Sequence, residues 1–247
     1  MNSQGNPRIA LVTGVGRREG IGFEVCRQLA ALGMTTLLTA RDLANAQTLA
    51  EDLQQAGLDV RPLALDVASD ASVGKAVRDV EAEFDRLDVL VNNAASSGPY
   101  GEKPSDADLL SAHQVMDVNL FGAWRTCQAF LPLLSKSGRG RIVNVSSGGG
   151  SHGDEQFGLT SANNMGPSYG VSKAALNALT VTFAEELRES GIFVNAVCPG
   201  FTATFPGGEE MGARPVADGA AGIVWAATLA EDGPTGGFFR DKQQLPW

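Results

Sequence analysis

Apolar residues along this chain fall into two alternating patterns. Short continuous runs occupy residues 8–13, 35–39, 60–65, 89–91, 141–145 and 192–198. Runs of that length, apolar on both faces and rich in Val, Ile and Leu, predict buried strands. Between them, apolar residues recur at helical spacing over 21–32, 44–56, 105–134, 169–190 and 216–229. Ser69 or Asp70 starts a further helix that runs to Phe84. The long 105–134 stretch predicts a break near 117–119. A last short strand is expected at 237–239. Two stretches lose all periodicity, 148–167 and 201–214.

Strand and helix thus alternate from end to end. The pattern predicts one α/β domain over residues 1–247, a doubly wound, mostly parallel seven-stranded sheet with helices on both faces. In such sheets ligands bind beyond the carboxyl ends of the strands. Gly14, Arg41, Asp66, Asn93, Ser147 and Pro199 all fall at those ends. Their common location is the strongest functional signal derivable from pattern alone.

The chain has 247 residues, 43% of them hydrophobic, enough for one sizeable core. Its formal charge of −9 and its lack of any basic run argue against nucleic acid or an anionic membrane as partner. An anionic ligand must therefore find a local positive patch. The segment before the first strand is short and polar, with no signal-peptide pattern, and no apolar run approaches the ~20 residues of a bilayer span. Three cysteines without metal-like spacing and only two histidines predict reduced thiols, a cytoplasmic protein and no metal site.

One such patch follows the first strand. The run Thr13-Gly14-Val15-Gly16-Arg17-Arg18-Glu19-Gly20-Ile21-Gly22 leads directly into the first helix. Glycines in a strand-loop-helix setting let the backbone approach a pyrophosphate, and the helix start supplies free N–H groups. The second strand ends Thr39-Ala40-Arg41, with no carboxylate at position 40 for a ribose 2′-hydroxyl. Arg41, Arg17 and Arg18 instead offer planar forks suited to a 2′-phosphate, which favours NADP(H) over NAD(H). Asp42 is the counter-argument, because an inward carboxylate there would suit the hydroxyl.

Tyr169 and Lys173 stand four apart at the start of a predicted helix, on one face. A cation beside a phenol favours the phenolate and draws its pKa toward neutrality. Tyr169 is therefore a candidate proton donor and acceptor, although this spacing alone is common on helix surfaces.

Taken together, the glycine loop, Asp66-Val67, Asn92-Asn93-Ala94, Asn119, Val145-Ser146-Ser147, Tyr169-x-x-x-Lys173 and Pro199-Gly200 followed by Thr204 resemble the short-chain dehydrogenase/reductase family, in the family's order and over nearly the whole chain. Several stretches, including 20–24, 38–42, 194–200 and 233–237 with Trp247, are similar to its carbonyl-reductase-like branch. The resemblance implies a Rossmann-type fold and a set of roles. Tyr169 would be the general acid/base, Lys173 would lower its pKa and hold the nicotinamide ribose, Ser147 would bind the substrate carbonyl oxygen, and Asn119 would hold a water that connects Lys173 to solvent. Asp66 and Val67 would meet the adenine side, Asn93 the cofactor ribose, and Thr204 the carboxamide. Gly14, Gly16, Gly20, Ile21, Ala94, Pro199, Gly200 and Thr202 would complete the cofactor cleft. The implied reaction is NADPH-dependent reduction of a ketone or aldehyde, or the reverse oxidation, on a small-molecule substrate.

Two departures from the family pattern stand out. Gly14 and Gly20 enclose five residues where three are usual, a spacing that resembles the enoyl-reductase branch. The Tyr-Lys gap of three and the presence of Ser147 favour carbonyl reduction over that alternative. The family's Asn-Asn-Ala-Gly ends here in Ala95, which would crowd the turn if φ were positive. A non-catalytic redox sensor is the reading from a different class; it would be expected to lack Tyr169, Lys173 or Ser147. His113 and Cys198 are expected to be structural and His152 a solvated loop residue, while Phe201, Phe205 and Met211 suit either a lid or core. Neither the substrate nor the oligomeric state, monomer or homo-oligomer, is legible.

Overall fold

Each of the apolar runs becomes a strand of one sheet in the computed structural model, which describes residues 7–99, 101–161 and 165–247. The polar leader before residue 7 and residues 162–164 of the irregular 148–167 stretch lie outside the described residues. The strands are β1 (Ile9–Val12), β2 (Thr35–Ala40), β3 (Val60–Ala64), β4 (Val89–Asn92), β5 (Arg141–Val145), β6 (Phe193–Val197), β7 (Phe238–Arg240) and β8 (Gln243–Gln244). Their order across the sheet is β3-β2-β1-β4-β5-β6-β7-β8, parallel except for the last pair. The chain reverses winding direction between β1 and β4, so the crevice of a doubly wound sheet opens above those two strands.

Burial explains this order. β1, β2, β4 and β5 are buried along their whole length and are the interior strands the continuous apolar runs predict. β3 is half-exposed and carries Pro62, which cannot donate to a second neighbour, so it sits at the edge. The helices are α1 (Ile21–Ala31), α2 (Leu43–Gln55), α3 (Asp70–Phe84), α4 (Leu109–Met116), α5 (Ala123–Ser137), α6 (Pro167–Glu186) and α7 (Val216–Ala227). One core joins the sheet to α1, α2 and α7; a second, on the opposite face, joins it to α3, α5 and α6.

Eight strands replace the seven expected. β8 pairs with β7 across a two-residue turn in which Asp241 and Lys242 have φ of 53° and 65°. Two consecutive positive φ values define the hairpin turn that strands of right-handed twist favour. The sequence signal for it is Asn-Gly, and Asp-Lys does not carry that signal. The break expected near 117–119 is a π-helical turn, Asp117–Gly122, joining α4 to α5.

Among the described residues, no helix is long and apolar enough to cross a membrane, and no group of three His, Cys, Asp or Glu side chains is placed to hold a metal ion.

Candidate active site

Gly14 has φ of +70°, and a Cβ there would lie 2.5 Å from Ala94 Cα at the end of β4. Only glycine lets the first loop cross this closely between β1 and β4. Thr13, whose part at this crossing sequence reasoning missed, fastens it, since its Oγ1 accepts the backbone N–H groups of Asn93 and Ala94 at 3.0 Å each. The Asn93 side-chain amide donates to Thr13 O at 2.7 Å, so in this structure Asn93 braces the loop. Ala95 is not among the residues of positive φ, and its methyl group brings no strain.

The lengthened loop is pinned at its start. Val15 is buried, and its N–H donates to Thr39 O at 2.7 Å. The Asn45 amide holds Gly16 O at 3.2 Å. The extra residues 17–19 then turn outward into solvent. Arg18 pairs with Asp52 on α2, so one of the three expected phosphate-binding arginines already has an anionic partner. Arg17 and Arg41 are exposed, with no side-chain partner among the described residues. Asp42 is occupied as the N-cap of α2, its carboxylate accepting the Ala44 N–H at 3.0 Å.

These features fit a bound dinucleotide. α1 begins at Gly20 with no side-chain cap, as α6 and α7 do at Gly166 and Pro215, so its first N–H groups are left for a ligand. Nothing lies within 4 Å of the Cβ position of Gly16. An open backbone cradle, uncapped N–H groups and two unpaired guanidinium groups are what a pyrophosphate with a further phosphate requires.

Ile21 is half-buried against the first core, Asp66 is half-exposed with its Oδ1 accepting the Ala68 N–H at 3.1 Å, and Val67 is buried against Gly122. Pro199 and Gly200 form the elbow after β6, with Gly200 at φ +75°. The two threonines beyond it separate. The buried Thr202 turns its hydroxyl back onto Pro199 O and Gly200 O at 3.2 and 3.1 Å. Thr204 stays half-exposed, and among the described residues its hydroxyl has no hydrogen-bond partner.

At the other end of the cleft, Tyr169 and Lys173 occupy the first two turns of α6, as predicted. Lys173 is 2% exposed and donates from Nζ to Val145 O at 2.8 Å. Burial draws its pKa down from 10.5 to about 8. The ammonium lies 5.6 Å from the centre of the Tyr169 ring. Ser147 begins the turn after β5, where its hydroxyl accepts the Gly149 N–H at 3.0 Å. Gly150, which sequence reasoning did not single out, locks this turn to α6. A Cβ there would meet Ala174 N and the Lys173 carbonyl carbon, each at 2.5 Å. We expect Gly150→Ala to lower turnover by about a hundredfold through displacement of Ser147 relative to Lys173, with about 1–3 kcal/mol lost in stability. Steady-state kinetics beside a thermal melt check it, and unchanged kinetics would refute it.

Asn119 lies in the π-helical turn and is fully enclosed. Its amide donates to Ser96 O and Ser172 Oγ at 2.9 Å each, and its Oδ1 accepts the Ser96 N–H at 2.7 Å. Ser172 Oγ donates in turn to Tyr169 O at 2.7 Å. The Asn119 side chain therefore ties the loop after β4 to the Tyr169 helix. Both amide hydrogens are used in that tie. Glu102, also missed, accepts from the Ser168 backbone N–H and hydroxyl at 3.2 and 2.9 Å, next to Tyr169. Neither tie has a local sequence signal, because the partners come from distant segments.

His113 and His152 are exposed. The backbone N–H of His152 donates to Trp247 O at 2.9 Å. Cys26, Cys127 and Cys198 are free thiols and all are buried. Phe201, Phe205 and Met211 are 37%, 40% and 69% exposed, which removes the core reading for them. Trp225 packs edge-on against Phe239, with ring centres 5.1 Å apart.

A doubly wound sheet with a dinucleotide cradle over β1 and β4, and a Tyr-Lys helix beside it, defines a class of nucleotide-dependent oxidoreductases. The short chain dehydrogenase family model matches residues 8–211, so the chain belongs to that family. It is 33% identical to (+)-neomenthol dehydrogenase of Arabidopsis thaliana, with 96% of this chain and 97% of that protein covered. It is 32% identical to the NADPH carbonyl reductase 1 of Sus scrofa, with 98% and 95% covered. Among solved structures, a metagenomic short-chain oxidoreductase in complex with NADP superposes with a TM-score of 0.76 at 29% identity, covering 92% of this chain and 93% of that one.

Proposed function

We propose that this oxidoreductase uses NADP(H) to reduce a ketone or aldehyde to an alcohol, or runs the reverse oxidation, with Tyr169, Lys173, Ser147 and Asn119 as its active site. The observation that carries the reading is the Gly150 contact. It presses the Ser147 turn onto the backbone of Lys173, which supports the shared space that a carbonyl-binding hydroxyl and a lysine-tuned phenol require. Enoyl reduction has no use for Ser147, and a sensor has no use for a buried lysine held beside a tyrosine.

NADPH, when bound, supplies the hydride. The chain's own groups supply the rest. Gly14, Gly16 and the uncapped start of α1 would hold the pyrophosphate, Arg17 and Arg41 the 2′-phosphate, and Asp66 with Val67 the adenine side. Ser147 donates to the substrate oxygen, and Tyr169 delivers a proton to it as negative charge develops there. Lys173 holds a positive charge beside Tyr169 and favours release of that proton. Asn119 keeps the Tyr169 helix seated through Ser172. Thr204 is the threonine left to meet the carboxamide. Exposed Phe201, Phe205 and Met211 suit an apolar lid over the substrate. The names of the two relatives, a menthol-type alcohol dehydrogenase and a carbonyl reductase, support an apolar carbonyl or alcohol as substrate.

Turnover measured over a panel of apolar ketones and aldehydes, with NADPH and NADH in parallel, tests the assignment. NADPH binding with no oxidation over the whole panel would remove it. Arg41→Ala is expected to weaken NADPH by about tenfold or more and NADH little, because a phosphate contact of about 1.5–3 kcal/mol is lost for one cofactor alone. Equal losses for both cofactors would remove Arg41 from 2′-phosphate recognition.

A further inference from the structure

Arg240 is the last residue of β7, at the same strand-end surface as the active site, and no role described so far uses it. Its side chain is 14% exposed and forms an ion pair with Asp154, which is 4% exposed. Asp154 organises the segment after Ser147: its Oδ1 accepts the N–H groups of Gln156 and Phe157 at 3.0 and 3.1 Å. The guanidinium also reaches Cys198 Sγ, from Nε and from Nη2, at 3.4 Å each. That sulfur accepts two backbone N–H groups, Gly148 at 3.2 Å and Gly200 at 3.4 Å. Gly148 follows Ser147 directly, and Gly200 forms the elbow that leads to Thr204. One half-buried cation thus connects the Ser147 turn with the Pro199–Gly200 elbow. A planar fork with several fixed donors can serve carboxylate and sulfur together, which a lysine cannot.

The turn that follows extends the brace. Asp241, held at φ 53°, pairs with Arg214 at the far end of the 201–214 segment. Ser151 Oγ donates to Pro246 O at 2.8 Å, so the residues beyond β8 also lie against the 148–157 segment. Buried ion pairs add little stability over well-packed apolar replacements, but they fix one geometry.

We propose that Arg240 is a positioning residue: by holding Asp154 and Cys198 it sets the Ser147 turn against the Pro199–Gly200 elbow, and so governs how the carbonyl substrate is seated beside the nicotinamide more than how tightly the cofactor is held. This rests on the carbonyl-reducing reading above.

Arg240→Met is compared with wild type for KM and kcat on the best ketone of the panel, for NADPH affinity by nicotinamide fluorescence, and for backbone hydrogen exchange. KM is expected to rise by about tenfold or more with a smaller change in kcat, as displaced substrate contacts predict. NADPH affinity should hold within about twofold, because the phosphate cradle lies over β1 and β4, apart from β7, and only the carboxamide end of the cofactor reaches the elbow. Amides of 148–157 and 199–204 should exchange faster while those of α6 keep their protection. Arg240→Met/Asp154→Asn leaves no buried unpaired carboxylate and keeps the N–H acceptor, so it should stay folded and show the same split. Arg240→Lys, which restores the charge without the fork, should recover part of the KM. Unchanged KM with either exchange result overturns the proposal, as does cofactor affinity falling in step with KM. If wild-type protein reduces no carbonyl, the functional reading fails, and the exchange comparison alone decides whether Arg240 holds the two segments.

Discussion

Tyr169→Phe is expected to slow carbonyl reduction by about a thousandfold while leaving NADPH affinity close to wild type. The change deletes one oxygen from a half-buried ring at the start of α6 and leaves the packing of the ring in place. Two effects are lost together, the proton donor and one of two donors to the developing oxyanion, which accounts for the size of the loss. Lys173 remains anchored on Val145 O, so the helix and the Ser147 turn keep their relation. Single-turnover kinetics beside a fluorescence titration separate chemistry from binding. Residual turnover near wild type would exclude Tyr169 as the proton donor.

Lys173→Met should abolish turnover to a similar extent and yet stabilise the fold at pH 7. The folded pKa of Lys173 is about 8, against 10.5 for an exposed lysine. At pH 7 the amine is charged in both states, and the folded protein carries the full cost of burying that charge. The difference between the two values corresponds to about 3 kcal/mol. Between pH 8 and 10.5 the unfolded chain binds a proton that the folded protein has released, so the cost fades and wild-type stability gains as pH rises. The Met variant loses the bond to Val145 O, worth about 1–2 kcal/mol, which leaves a net gain of about 1–2 kcal/mol near neutrality. Denaturant unfolding at pH 7 and pH 9 reads the effect: the gain at pH 7 should shrink at pH 9. A variant less stable than wild type at pH 7 would contradict it. The same protonation predicts that wild-type reduction falls as pH rises through about 8, as Lys173 loses the charge that tunes Tyr169.

Much of the fold is legible because a parallel sheet buried on both faces writes its strands as unbroken apolar runs. β1, β2, β4 and β5 are recovered to within a residue or two. β8 is not, because Asp241 and Lys242 adopt backbone angles that the sequence pattern reserves for Asn and Gly. At the site, residue types are legible and partners are not. Arg18 reads like Arg17 until Asp52, on another helix, claims it. Asp42 reads as a rival for the ribose until the α2 N-terminus occupies its carboxylate. Thr202 and Thr204 are equivalent on paper, and only the fold turns one inward and leaves the other available. Arg240, Asp154 and Cys198 are invisible as a group, because three separate segments must fold before they meet.

The burial of all three thiols has a practical consequence. No native sulfur competes at the surface for an alkylating dye, so a single cysteine placed at exposed Met211 would be the one labelling point on the folded protein. An environment-sensitive fluorophore there would report movement of the 201–214 segment during substrate binding, in real time and without any further engineering of the chain.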